Sequence, residues 1–266
     1  MLKFYIRNIC LSLFSLLILI GLTQPMLAQS VERHTDQQFN NWFVPSLNLR
    51  VHKYVGFYLE GQLRFNQFTH SQQHQLRGNM DVFVNDKVTI SPIGYVYTWN
   101  YKYGKQPVAV TENEHRIYEQ INIKLNTCRL FFEQRLRLEQ RWQEHKVKQS
   151  DGSYQLQNYI YKNRLRYRIM VNVPINHKVM DAHTVFFSAW DEVFISFGKN
   201  VTYRLPDQNR AYAGFGYKFS KYGTVQLGYL HQLIIKKEGM LAESNHTLFV
   251  GFNYVVDFTK MRKHKQ

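Results

Sequence analysis

Two neighbouring stretches carry charged residues at every second position: Glu133, Arg135, Arg137, Glu139 and Arg141 in the first, Lys162, Arg164, Arg166 and Arg168 in the second. A spacing of two puts each set on one face of a strand, because successive side chains point to opposite sides. Same-face neighbours on one strand lie about 7 Å apart, so like charges repel by about 0.6 kcal/mol at a dielectric of 80 and about 2.4 kcal/mol at 20. A dry interior does not tolerate such a ladder unpaired. Glu60, Asp81, Glu133, Glu139, Asp191, Glu192 and Asp257 are the acids expected to supply partners. Two chemistries follow: a salt-bridged polar interior, or a wet basic pore or pocket for small anionic or polar solutes.

Catalytic patterns are weak by comparison. The chain has no G-x-S-x-G, no H-E-x-x-H and no P-loop. His70 and His74 read as polar loop residues rather than a metal pair. Asp191 and Glu192 are adjacent, so on a strand they face opposite ways and cannot work as paired acid and base. Gly214-Phe-Gly216 reads as a strand with small residues where bulky neighbours come close, not as a phosphate loop. The expectation is a protein that is not an enzyme and has no cofactor or metal site, with a lipid-modifying barrel enzyme as the less favoured catalytic reading.

The elements that position the charged ladders share the same two-residue period. In Val55-Gly-Phe57-Tyr-Leu59-Glu-Gly61-Gln-Leu63-Arg-Phe65-Asn, one face is apolar and the other holds Tyr58, Glu60, Gln62, Arg64 and Asn66. Leu130, Phe132, Leu136, Leu138 and Trp142 oppose the first ladder, interrupted by Gln134 and Gln140, and Tyr159 to Val173 oppose the second. A helix mixes these sets. Alternation predicts strands over 41–51, 55–66, 74–84, 88–101, 115–125, 130–142, 159–173, 183–197, 208–219, 224–236 and 246–258.

Most of these segments have the roughly 9 to 11 residues, or a few more, that a tilted strand needs to cross a bilayer. Aromatics gather near segment ends, as in Tyr95, Tyr97, Trp99 and Tyr101, and short connections alternate with longer polar ones. These features favour an all-β, antiparallel transmembrane β-barrel over a soluble barrel or sandwich, the exposed positions of a soluble sandwich carrying mixed charge. Eleven segments sit awkwardly with the even counts of single-chain bacterial barrels. Twelve strands are therefore expected, through a short one between Val31 and Phe39, with ten as the alternative.

Composition agrees. Of 266 residues, 34 are Lys or Arg and 19 Asp or Glu, for a net charge of +15, and 44% are hydrophobic. That excludes a disordered or collagen-like chain. Residues 1–28, with Lys3 and Arg7 ahead of an apolar run from Ile9 to Leu22 and then Pro25 and Ala28, read as a cleaved signal peptide. Cleavage after Ala28 removes Cys10 and leaves Cys128 alone, so no intrachain disulfide is expected. The barrel domain then spans 29–258, followed by a basic tail, 259–266, able to meet anionic lipid head groups. Nucleic acid is not an expected partner, because the arginine faces are backed by apolar faces that a soluble nucleic-acid binder cannot leave exposed.

Glu114-His-Arg-Ile-Tyr-Glu-Gln120, Arg164-Leu-Arg-Tyr-Arg168 leading to Pro174-Ile-Asn176, Asp191-Glu-Val-Phe194, and Asp207-Gln-Asn-Arg-Ala-Tyr-Ala-Gly-Phe-Gly-Tyr217 followed by Gly228-Tyr229 resemble the Bacteroidetes family known as domain of unknown function 2490. The resemblance runs over nearly all of the chain after the signal, with Asp191 standing where the family pattern has Asn. It implies an exported outer-membrane barrel of a Gram-negative bacterium, with no established activity. The expected function is a narrow polar pore or transport-related barrel in contact with outer-membrane lipid, the alternative being a structural or surface-interaction barrel whose lumen is plugged by salt bridges.

Overall fold

The computed structural model describes residues 34–103, 110–201, 206–236 and 241–261. The expected signal peptide and the end of the basic tail lie outside them. Eleven strands form one closed barrel: β1 (His34–Arg50), β2 (Val55–Asn66), β3 (His70–Phe83), β4 (Val88–Asn100), β5 (Glu114–Thr127), β6 (Leu130–Lys148), β7 (Tyr154–Pro174), β8 (Thr184–Phe197), β9 (Pro206–Lys218), β10 (Gly223–Lys236) and β11 (Leu241–Asp257). A short helical turn, α1 (Phe258–Met261), follows.

Each predicted alternating segment is one of these strands, and the count falls between the ten and twelve expected. The residues before Phe39 do not form a separate strand; they extend β1 back to His34. Each strand runs antiparallel to its chain neighbour, and ten such reversals, an even number, leave the first and last of eleven strands pointing the same way. The barrel therefore closes through a parallel pair, β1 with β11, in register from His34 opposite Leu241 to Arg50 opposite Asp257. Side chains reinforce this seam, where Asn253 Nδ2 donates to Ser46 Oγ at 2.9 Å and Ser46 Oγ to the Phe252 carbonyl at 3.2 Å.

Alternation sorts the two faces. Leu59, Leu76, Ile93, Leu136, Phe215, Leu227 and Leu248 are exposed on the outside, while Glu60, Arg77, Tyr118, Arg137, Phe194 and Thr247 are buried inside. Polar residues that fall on the outward face meet one another: Asn209 Nδ2 donates to both Asp191 carboxylate oxygens at 3.1 Å, and Gln140 Nε2 donates to Glu119 at 3.2 Å. His70 and His74, read from sequence as loop residues, belong to β3, where the His74 ring packs edge-on against Phe65 and Tyr101.

Inward glycines give large rings room to lie across the barrel. A Cβ on Gly94 would fall 2.3 Å from the Tyr118 ring, and one on Gly216 would fall 2.1 Å from the Phe186 ring. Both rings are fully buried, and the Tyr118 hydroxyl donates to Asn79 Oδ1 at 2.8 Å. Overfilling such a site forces neighbours off their preferred rotamers. Gly94→Val is therefore expected to cost about 1–3 kcal/mol of stability, read from urea unfolding in detergent micelles. In a Tyr118→Ala background, where the ring is gone, the same substitution should cost far less; an equal loss in both backgrounds would contradict the packing described.

Candidate functional site

The inward faces of β5 to β8 build a buried layer of arginines and glutamates across the middle of the barrel. β6 contributes Arg137 and Glu139, β7 Arg164 and Arg166, and β8 Glu192 and Phe194, all nearly or completely buried. Glu139 accepts from Arg164 Nε at 2.8 Å and from Arg166 Nη1 at 2.6 Å. Glu192 accepts from Arg166 at 2.8 and 2.9 Å and from Arg135, and Arg210 Nη1 stands 3.9 Å away. Toward one end, Glu114 accepts from Arg116 at 2.6 and 2.9 Å and also from Arg141. On the opposite wall Arg77 donates to Glu60 at 2.6 Å.

Each of these carboxylates except Glu60 serves more than one guanidinium, which follows from donor count. A guanidinium offers five N–H groups and a carboxylate about four acceptor positions, so one carboxylate can serve two guanidiniums at once. Aromatic faces take up part of the remaining positive charge. Arg137 lies 4.1 Å from the Tyr118 ring centroid, and Phe194 lies within 4.5 Å of Arg166 and 4.7 Å of Arg210. The lumen at this height is occupied by side chains.

Above that layer is a cavity of about 510 Å³, at the end of the barrel where β2, β4, β6, β8 and β10 finish. Its lining holds ten Lys or Arg residues and three Asp or Glu, so its potential is positive. Lys162, Arg164 and Arg166 form part of one wall, Arg64 and Arg210 part of the other. Tyr103, in the 101–113 connection, donates to Glu243 at 3.1 Å, and burial together with that carboxylate pushes its phenol up, so it keeps its proton.

The nine charged residues singled out from sequence thus come together on adjoining strands, but in different settings. Glu139, Arg137, Arg164 and Arg166 belong to the buried layer, Arg135 reaches it through Glu192, and Arg141 joins Glu114 on the cavity wall. Lys162 faces the cavity. Glu133 and Arg168 pair at 2.6 Å toward the other end, each about a fifth exposed. Among the suggested acids, Glu60, Glu133, Glu139 and Glu192 do pair with arginines. Asp81 instead accepts from Asn79 and Ser91, Asp191 faces outward onto Asn209, and Asp257 accepts from Thr259. Glu114 as an acceptor, and Trp42 beneath Arg64 and Arg210, were not anticipated; the parity of β1 and β5 is the only signal that places them inside.

A family model described as "Protein of unknown function (DUF2490)" matches residues 39–241. Comparison with curated proteins and with solved structures finds no match for this chain.

Breaking a buried, shared carboxylate leaves several guanidiniums uncompensated, whereas breaking a partly exposed pair leaves charges that water can reach. Glu192→Gln is expected to lower stability by about 3–5 kcal/mol and Glu133→Gln by about 1 kcal/mol or less, both measured by denaturant unfolding of the barrel. Equal losses would show that the buried layer is not tied together as described.

Proposed function

The chain belongs to the family of proteins of unknown function DUF2490, and from that premise we propose that it is an outer-membrane β-barrel whose basic vestibule binds small anionic solutes above a lumen closed by its own side chains. The observation that carries this reading is the positive 510 Å³ cavity floored by the buried arginine–glutamate layer. A cavity of that size accommodates a small solute. Its charge raises the local concentration of anions, and its low-dielectric walls strengthen their contacts.

Several features support the membrane setting. The outward face is apolar around the barrel, and such a continuous face needs cover from water. Trp142, Tyr159 and Tyr161 on β6 and β7, with Tyr97 and Trp99 on β4, cluster toward the cavity end in ring contacts of 4.6 to 6.0 Å, as an interfacial aromatic belt does. The export-like segment supports delivery to the outer membrane, and the longer connections at the cavity end support a vestibule that opens to the outside of the cell. The buried layer favours a closed binding barrel over a free pore.

Expression of the full chain in a Gram-negative host tests this. The expected result is an outer-membrane band whose gel mobility changes on boiling, and, after reconstitution into planar bilayers, no steady conductance at low voltage. A soluble periplasmic protein without a mobility change overturns the membrane reading. A steadily open channel overturns the closed lumen.

A further inference from the structure

Two arginines of the vestibule are not neutralised in the way their neighbours are. Arg64 is buried, yet its guanidinium donates only to neutral amide oxygens, those of Gln62, Gln73 and, at 3.3 Å, Gln75. Among the described residues no carboxylate lies within ion-pair distance of it, and its Nε has no partner. Among the described residues, Arg210 reaches only Glu192, at 3.9 Å, and that carboxylate already accepts from Arg135 and Arg166. Its nearer neighbours are the side-chain amides of Gln208 and Gln232, which are also neutral.

The two guanidiniums are held together by one ring. Arg64 lies 3.9 Å and Arg210 5.1 Å from the centroid of Trp42, so they stand no further apart than those two distances combined. Both line the cavity, as do Gln75, Gln208 and Gln232. Behind them, along the β1–β11 seam, sits a row of buried polar groups without hydrogen-bond partners: both amide atoms of Asn245, Thr247 Oγ1, Asn40 Nδ2 and Trp42 Nε1. Asn245 is 0% and Thr247 1% exposed. The register places Asn245 beside Gln232 and Gln232 beside Arg210, so the unused donors and the unneutralised charge share one wall.

Buried charge without a counter-ion is costly, and buried polar atoms are ordinarily paired. An anion bound in the cavity answers the missing counter-charge. We propose that this wall is a binding site for a phosphate-type oxyanion, either inorganic phosphate or the phosphoryl group of a small solute, held between Arg64 and Arg210. Two forked guanidiniums match tetrahedral oxygens in a bidentate way. A phosphoryl group offers the two forks more oxygens than a two-oxygen carboxylate does. The site rests on the reading of the vestibule as an anion pocket and fixes where in it the anion sits.

Calorimetric titration of the folded barrel in detergent micelles, in phosphate-free buffer, tests it with inorganic phosphate, glycerol phosphate and succinate as probes. Wild type is expected to bind phosphate more tightly than succinate, and Arg64→Gln and Arg210→Gln each to weaken phosphate binding at least about tenfold. Arg168→Gln, at the other end of the lumen, should leave it unchanged. Tighter glycerol phosphate binding identifies the phosphorylated solute as the source; equal binding identifies free phosphate.

Phosphate should also raise the unfolding temperature of wild type and not that of Arg64→Gln, while without phosphate Arg64→Gln should unfold no more easily than wild type. That comparison shows the variant to be folded. Unimpaired phosphate binding by both arginine variants overturns this site and leaves the anion pocket standing elsewhere in the vestibule. Succinate binding more tightly than phosphate overturns the phosphate assignment. No anion binding by any form overturns the site and the pocket together.

Discussion

The interior depends on carboxylates that each answer more than one arginine. A buried ion is tolerated only when paired and hydrogen-bonded, and an isolated pair often gains little over apolar packing. Linked sharing changes that balance. Glu139 ties β6 to β7 through Arg164 and Arg166, and Glu192 ties β8 back to β6 and β7 through Arg135 and Arg166. Removing one member strands several others, so the layer responds as a unit. Its position also divides the lumen, with a cavity on one side and the smaller Glu133–Arg168 pair on the other.

Barrel geometry makes this layer necessary. Eleven tilted strands enclose more width than backbone and small side chains can fill, and wider barrels are left with channels. Here the gap is filled by long guanidinium side chains stacked on rings, and the rings lie flat because glycines face them, as at Gly94 below Tyr118. Satisfaction is incomplete along the parallel β1–β11 seam. Asn40, Trp42, Asn245 and Thr247 leave polar atoms unpaired there, next to the arginines that lack full carboxylate partners. Uncompensated charge and unpaired polar atoms thus meet along this wall.

Much of this was legible in the sequence. A two-residue period marks a strand wherever one face is apolar and the other polar, which located all eleven strands and sorted inside from outside on β2, β6, β7 and β11. The signal fades where both faces are polar. Gln143 to Lys148 and Tyr154 to Asn158 lengthen β6 and β7 without alternation, and His34 to Gln38 does the same for β1. Parity of the strand count was not recoverable, because the parallel closure depends on which edges meet rather than on any local pattern.

The ladder of nine charges was found as a pattern, but its partners were not. Glu114 pairs with Arg141 across 27 positions, and Arg210 shares Trp42 with Arg64 from the far end of the chain. Contacts between strands depend on register, which leaves no spacing to read along the chain. Asp191 shows the reverse case: its acidity suggested a lumen partner, yet its neighbour Glu192 occupies the inward position, so parity sends Asp191 outward to Asn209.

The central claim, that shared carboxylates couple the strands around a closed lumen, is tested most directly by a double-mutant cycle on Glu139→Gln and Arg164→Gln, read from denaturant unfolding of the reconstituted barrel. The account predicts a coupling energy of about 1–3 kcal/mol between the two positions, since each substitution leaves the other group stranded in a buried site. Losses that add within about 0.5 kcal/mol would show that the two side chains act independently, and would contradict it.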